Sequence, residues 1–585
     1  MRIFDLLTNY KKNFQKPDAL ASKVNGEWVK ISTNEYVDSS NYISEGLLQL
    51  GMQKGDAIAT VSNNRYEWNF LDMGMLQIGA VHVPMYPTIS ENDYKFILND
   101  CEAKIIVVSD EDLLKKINAI KAEVPTLQKV FCINEIVGCT NYSEILALGK
   151  ANFNNEKLEE IKAKITENDL ATIIYTSGTT GVPKGVMLSH KNLMSNTIGS
   201  SPLMPPTVDH HSRALSFLPL CHVYERMVGY LYHNFGVSIY YAESLEKIAD
   251  NLKEVKPHLF VTVPRLLEKV YDKIMAKGSE QTGIKYKLFF WAVGLGLRYE
   301  HYGKNGWWYN LQLSLARKII FSKWHEALGG NIQVIVSGGA PLQPRLARVF
   351  WAANLPVLEG YGLTETSPVI AVNTLLPNHA CFGTVGRKLD NVEIKIAADG
   401  EILCKGPNVM MGYYKRPDLT AEVMDGEWFK TGDIGEMVDG IFLKITDRKK
   451  ELLKTSGGKY IAPAPLENKM KESHFIEQIM VVGDNQKFAG AIIVPSFAYA
   501  KEWLAKKGVT INTNADLAKN ADLFEAIRLD IELYNRDFAH VEQIKKFVLI
   551  PNEFSIANNE MTPKLSLKRK VIQEHYKNEI EKMYL

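Results

Sequence analysis

Along the first 170 residues, short apolar runs alternate with segments of helical periodicity: AIATVSN from Ala57, AVHVPMYP from Ala80 and KIIVVSD from Lys104, with YKFILNDCEA between the last two. A chain that alternates in this way buries its strands in a parallel sheet whose faces are covered by helices. The alternation resumes in RALSFLPLCHVYER, HLFVTVPRLLEKV, IQVIVSGGAPL and PVLEGYGLTET, each run ending in a Gly, Pro or polar cluster. Ligands of doubly wound sheets gather beyond the carboxyl ends of the strands, so these clusters are expected to share one cleft.

From Gly383 to Thr446 the text turns short and β-like, with turns at Ala398-Asp399-Gly400 and Asp425-Gly426. A charge cluster, TDRKKELLKTSGGKYIAP, follows and marks the main boundary. Beyond it EQIMVVGDNQKFAGAIIVPS reads as two strands around a polar turn, and helical Lys-rich text runs to the end. The expected fold class is α/β. Residues 1–446 form a large N-terminal domain of doubly wound βα subdomains plus a small β subdomain, and residues 447–585 form a small α+β C-terminal domain.

One stretch carries chemistry on its face. IIYTSGTTGVPKGVMLSH, from Ile173 to His190, is an apolar run, a loop of small and hydroxyl residues, then a lysine. Gly178, Gly181 and Gly185 have access to backbone angles closed to other residues, which lets amide groups converge on an anion. Thr176, Ser177, Thr179 and Thr180 add hydroxyl donors, and Lys184 adds a positive charge suited to phosphate oxygens. The loop reads as a phosphate cradle. It is not the loop of nucleotide hydrolases, because Pro183 precedes the lysine and Gly185 stands where a magnesium-binding hydroxyl is needed.

Lysine plus arginine, 68, almost balance aspartate plus glutamate, 67, so no basic field argues for nucleic acid as a partner. The six cysteines, Cys101, Cys132, Cys139, Cys221, Cys381 and Cys404, form no Cys-x-x-Cys pair, as expected of reduced thiols in a cytoplasmic protein. The start, MRIFDLLTNYKKNF, reads as an amphipathic helix and lacks a signal-peptide core, so export is not expected. Between about 279 and 330 lies an aromatic and basic insertion whose longest uncharged run, Leu288 to Leu297, falls short of the roughly 20 residues of a membrane span. Two readings stay open for it: helices packed on the core, or helices whose Trp291, Trp307, Trp308 and Trp324 meet an apolar substrate or the inner face of a membrane as a peripheral contact.

In order, YTSGTTGVPKG, LPLCHVYER, SGGAPL, EGYGLTET, FKTGD and DRKKELLK resemble the adenylate-forming acyl-CoA synthetases, and within them the long-chain fatty acyl-CoA synthetases. The likeness spans nearly the whole chain. It implies attack of a fatty carboxylate on the α-phosphorus of ATP, giving acyl-adenylate and pyrophosphate, then displacement of AMP by the thiol of coenzyme A. It implies ATP, Mg2+ and coenzyme A as cofactor and co-substrates, and a mobile C-terminal domain. By position, Thr176, Ser177, Gly178, Thr179, Thr180, Gly181 and Lys184 would hold the β- and γ-phosphates, with Thr176 and Glu365 around magnesium. Gly338, Gly339, Ala340 and Tyr361 would line the adenine, and Thr364 would reach the α-phosphate. Asp433 would take the ribose hydroxyls with Arg448 beside it, His222 would gate the acyl and thiol routes, and Asp447 would be the hinge.

The resemblance also implies a C-terminal lysine that stabilises charge during adenylation, but Ser566 stands at its place in Thr562-Pro563-Lys564-Leu565-Ser566-Leu567-Lys568-Arg569. Lys564 and Lys568 each lie two residues away, on the same side of an extended chain, and either could substitute. Two alternatives to a fatty acyl-CoA ligase remain at this level: transfer of an acyl or aryl group to a carrier-protein thiol, and a lipid-binding member of the fold without turnover.

Overall fold

The computed structural model describes the chain except for residues 178–181, 556 and 563–566, and the side chain of Ser177. The backbone divides into two compact units: Met1–Lys395 with Leu403–Lys430, and Ile396–Ile402 with Thr431–Leu585. Residues 431–446, assigned from sequence to the large domain, therefore pack with the C-terminal unit.

The first unit holds two large sheets. In one, the order is Gly412–Tyr413, Pro183–Ser189, Leu170–Ser177, Val81–Met85, Ala57–Val61, Ile105–Val108, Lys129–Cys132 and Thr140–Asn141. Its strands run parallel from Leu170–Ser177 outward through the last five, as the alternation requires. The three apolar runs read from Ala57, Ala80 and Lys104 are fully buried strands, consistent with a sheet covered on both faces. The second sheet contains Val357–Gly362, Val334–Ser337, Leu259–Thr262, Arg213–Ser216, Ser238–Tyr241 and Leu20–Val24 in parallel, with antiparallel strands at either end.

A buried polar network ties helices to the first sheet. Arg226, fully enclosed in helix Val223–Phe235, donates to Asp72 Oδ1 at 2.5 Å, to Thr172 Oγ1 at 2.7 Å and to the Tyr230 hydroxyl at 2.7 Å. Asp72 also accepts from Tyr230 at 2.6 Å and pairs with His82 Nδ1 at 2.7 Å. Burial works to raise the Asp72 pKa, but the Arg226 guanidinium with His82 and Tyr230 outweighs it and holds the carboxyl down at about 2. Thr172 lies on strand Leu170–Ser177, which leads into the hydroxyl-rich loop, so this network anchors that strand.

The insertion is helical, Gly283–Leu297, Gly306–Ala316 and Ser322–Ala327, and its tryptophans do not share one fate. Trp324 is buried beside Phe321 and Phe350, and Trp291 is half-buried against the same core. Only Trp307 and Trp308 of the four are exposed, so a surface role for Trp291 and Trp324 gives way to core packing. No described helix is long and apolar enough to cross a membrane.

The second unit carries a three-stranded sheet, Ile476–Val482, Ala489–Pro495 and Ile544–Leu549, the first two antiparallel and the third parallel to its neighbour. The two strands expected around the turn at Gly483 to Lys487 are this antiparallel pair. Helices Pro463–Met470 and Ala521–Asn535 bury Leu466, Met470, Leu523, Ile527 and Ile531 in the same core.

Candidate active site

The loop that reads as a phosphate cradle joins two antiparallel strands, Leu170–Ser177 and Pro183–Ser189, and does not open onto a helix. Gly178, Thr179, Thr180 and Gly181 lie outside the described residues. At the loop's base Thr176 and Lys184 face each other in register. Gly185 corrects an expectation: it sits inside the second strand, and what it supplies is closeness rather than a special backbone angle. A Cβ there would lie 2.7 Å from Ile173 Cγ2 and 3.1 Å from Tyr175 Cζ.

Strand Pro183–Ser189 is flanked on its other side by Gly412–Tyr413, with Tyr413 opposite Val186. This pairing brings a residue that the sequence reading passed over into the site. Lys184 Nζ lies 5.1 Å from the centre of the Tyr413 ring, within cation–π range. The Tyr413 hydroxyl donates to Glu365 Oε1 at 2.9 Å. Burial, and then the neighbouring Glu365 charge, push the Tyr413 phenol far above its ordinary range, so it stays a donor at any ordinary pH. Glu365 is held from the backbone as well, its carbonyl accepting from Met410 N at 2.8 Å. Thr364, just before it in the short 3-10 turn Thr364–Thr366, is buried. A lone Tyr in GYYKRPD carries no sequence signal for this role; only the position of Gly412–Tyr413 beside the lysine strand reveals it.

The second sheet positions the remaining nucleotide candidates of this unit. Gly338 follows strand Val334–Ser337, its N–H donating to Thr262 O at 3.1 Å. A Cβ at Gly338 would stand 3.3 Å from the Tyr224 ring, a tight approach that the ring would have to yield to by a few tenths of an ångström. Gly339 takes φ +80°, the left-handed region open to glycine, and it and Ala340 are exposed beyond the strand end. The loop is pinned by Leu342 N donating to Glu359 Oε1 at 3.1 Å. Tyr361 lies near the end of the adjacent strand, Val357–Gly362, half-buried.

His222 is placed by its backbone role. Its Nδ1 accepts from Tyr224 N at 3.2 Å, capping helix Val223–Phe235, and its ring lies 6.4 Å from that of Tyr86.

In the second unit Asp433 is buried, and its Oδ1 lies 3.3 Å from Arg448 Nε across a strand pair in which the two residues are register partners. Asp447, next to Arg448, is buried inside strand Phe442–Arg448, with Oδ1 accepting from Arg448 N at 2.6 Å. Burial pushes its carboxyl up to about 6, against the pull of that backbone N–H. Lys568 precedes helix Arg569–His575 and its Nζ donates to Asn559 Oδ1, while Arg569 is committed to Glu467 at 2.7 Å and Glu451 at 3.1 Å. Lys564 and Ser566 lie outside the described residues.

A half-buried carboxylate, a buried tyrosine, a lysine and the threonine opposite it in register are thus linked beside the base of the Gly/Thr loop. The family described as AMP-binding enzyme matches residues 10–414, and its C-terminal domain family matches residues 450–585. A long-chain-fatty-acid–CoA ligase of Mycobacterium bovis is 34% identical over 566 residues, covering 96% of this chain and 93% of that protein. A ligase of the same description from Xenopus laevis is 30% identical, covering 97% and 81%, and a peroxisomal long chain acyl-CoA synthetase of Arabidopsis thaliana is 30% identical, covering 96% and 82%. The adenylation domain of a carboxylate reductase from Mycobacterium chelonae superposes with a TM-score of 0.78 at 21% identity, covering 100% of this chain and 91% of that one. A fatty acyl CoA synthetase of Mycobacterium tuberculosis gives 0.64 at 20%, covering 99% of each. At such identities these solved structures speak to fold alone.

The chain belongs to the AMP-binding enzyme family. Its nearly full-length likeness to these ligases makes it an acid–thiol ligase of the long-chain-fatty-acid–CoA class, which activates a fatty acid through an adenylate. Neither the carrier-protein alternative nor the non-catalytic one is favoured.

Proposed function

We propose that the Thr176–Lys184 hairpin loop and the Lys184–Tyr413–Glu365 cluster bind the triphosphate of ATP, so that a long-chain fatty carboxylate can attack the α-phosphorus. The observation that carries this reading is the Tyr413 bridge: one buried phenol orients Glu365 through its hydroxyl and holds Lys184 over its ring. Two anionic reactants repel each other, and a lysine aimed at phosphate oxygens lowers that repulsion where charge develops. In this reading Thr364, buried beside Glu365, reaches the α-phosphate, and the strand-end residues Gly338, Gly339, Ala340 and Tyr361 line the adenine.

The donor set fits magnesium. Mg2+ favours oxygen ligands and keeps several waters, taking one or two protein groups with substrate phosphates, and the Glu365 carboxylate with the Thr176 hydroxyl supplies such a pair. When bound, the ion would neutralise phosphate charge. Asp433 accepts hydrogen bonds from adjacent ribose hydroxyls, with Arg448 beside it at 3.3 Å. Lys568 supplies the charge missing at Ser566, since its amide partner Asn559 is neutral and exchangeable for phosphate. His222 gates the acyl and thiol routes, and Asp447 is the hinge of the C-terminal domain. Coenzyme A then takes the acyl group as a thioester. The six cysteines, all free, agree with a cytoplasmic enzyme.

The test is pyrophosphate release from ATP across saturated fatty acids from short to long, with and without coenzyme A. Release that needs a long acid, with thioester only when coenzyme A is present, supports the reading. No pyrophosphate above background with any acid overturns it.

A further inference from the structure

Helix Gly306–Ala316 has two apolar faces, and packing uses one of them. Tyr309, Leu313 and Ala316 are buried in the core with Phe321 and Trp324. On the other side Trp307, Trp308, Leu311 and Leu315 stand in solvent, Trp307 77% exposed and Leu315 still 53%. The spacing 307, 311, 315 makes one stripe along the helix surface. Leu297 and Tyr302, in the segment that leads into this helix, are exposed too. The Tyr309 hydroxyl donates to Leu295 O at 2.6 Å, which holds the end of the preceding helix against this one. The stripe is thus carried by a fixed element.

Charge says what such a stripe meets. Exposed Lys304 precedes Trp307 by about one turn, and exposed Lys318 follows Leu315 at the same spacing. Between the exposed Glu280 and Glu326 the sole acidic residue is Glu300, which Arg348 holds at 2.8 Å, while Lys285, Lys287, Arg298, Lys304, Arg317, Lys318 and Lys323 share the segment. A second copy of the chain on this face would set two like-charged surfaces together. Indole rings favour the headgroup region of a bilayer, and lysines flanking an apolar helical stripe favour anionic headgroups.

We propose that the Trp307–Leu315 face is a docking surface for an anionic lipid membrane, the helix lying in the plane of the headgroups with its cations on lipid phosphates. This goes beyond the ligase reading and is tested without turnover. The full chain is sedimented with vesicles of phosphatidylcholine alone and of phosphatidylcholine with a third phosphatidylglycerol. The parent is compared with Trp307→Ala/Trp308→Ala and with Lys304→Glu/Lys318→Glu, all checked for unchanged thermal unfolding.

The expected result is binding to the acidic vesicles, weakened at least fivefold in the tryptophan variant, and in the lysine variant reduced to the level on neutral vesicles. Pyrophosphate release with a soluble medium-chain acid and no vesicles is expected to be unchanged in both variants. Absence of parent binding, or equal binding by parent and variants, overturns the proposal. So does self-association of the parent in sedimentation velocity that the tryptophan variant abolishes, because the face would then serve a second copy.

Discussion

Tyr413 and Glu365, 48 positions apart, are joined by a hydrogen bond of 2.9 Å from the phenol to Oε1. The same ring carries Lys184 at 5.1 Å from its centre, so one side chain sets the positions of a cation and an anion at once.

Replacing Lys184 or Glu365 by alanine is expected to slow adenylation at least about tenfold, roughly 1.4 kcal/mol of barrier. The check is single-turnover pyrophosphate release, with circular dichroism to show that the variant is folded. An unchanged rate removes that residue from the polyphosphate site.

Tyr413→Phe keeps the ring under Lys184 and deletes the donor to Glu365. A hydrogen bond to a charged group is worth about 1.5–3 kcal/mol, so kcat/KM for ATP should fall by about tenfold or more while the melting temperature moves little. The loss should deepen as magnesium is lowered, since Glu365 is the carboxylate the phenol orients. A Phe variant with parental kinetics at every magnesium concentration would show the bond to be idle.

Asp447→Asn tests a buried carboxyl. Its folded-state pKa is raised by burial to about 6, so the stability it contributes is fully present below about 3.9 and is lost as pH rises through about 6. The amide removes the charging step. The variant should therefore be more stable than the parent at pH 7.5, and its melting temperature should vary less between pH 4 and pH 7. Parallel curves for the two proteins would contradict the assignment.

Asp72→Ala leaves the fully buried Arg226 guanidinium without its carboxylate, and breaking a buried pair in this way costs about 3–5 kcal/mol. Because the Asp72 carboxyl is depressed to about 2, its contribution is present above about 3.9 and is lost as pH falls toward 2. Urea unfolding at pH 7 should show the full deficit, and the difference between parent and variant should shrink on acidification. A deficit that holds constant down to pH 2.5 would rule out an ionised Asp72 as its source.

Much of this protein was legible before its structure because the signals are local. The apolar runs at Ala57, Ala80 and Lys104 became buried parallel strands, and the run from Ile173 lies in the strand Leu170–Ser177 that precedes the glycine and hydroxyl loop. Strand periodicity and turn chemistry act over a few residues, so a linear reading captures them. The Trp-rich insertion was legible only in part. Composition cannot tell the buried Trp324 from the exposed Trp307, because which face of a helix is covered depends on what packs against it.

The sequence by itself determined the strand and helix alternation, the parallel sheets and the family. Tertiary structure alone decided that Tyr413 unites Lys184 with Glu365, that Gly185 serves a close approach, that residues 431–446 pack with the C-terminal unit, and that one apolar stripe of the insertion faces outward. The reason is distance along the chain. Strand Gly412–Tyr413 reaches Pro183–Ser189 only through sheet pairing, and such long-range closure is settled by the burial of the whole core, not by any local run of residues.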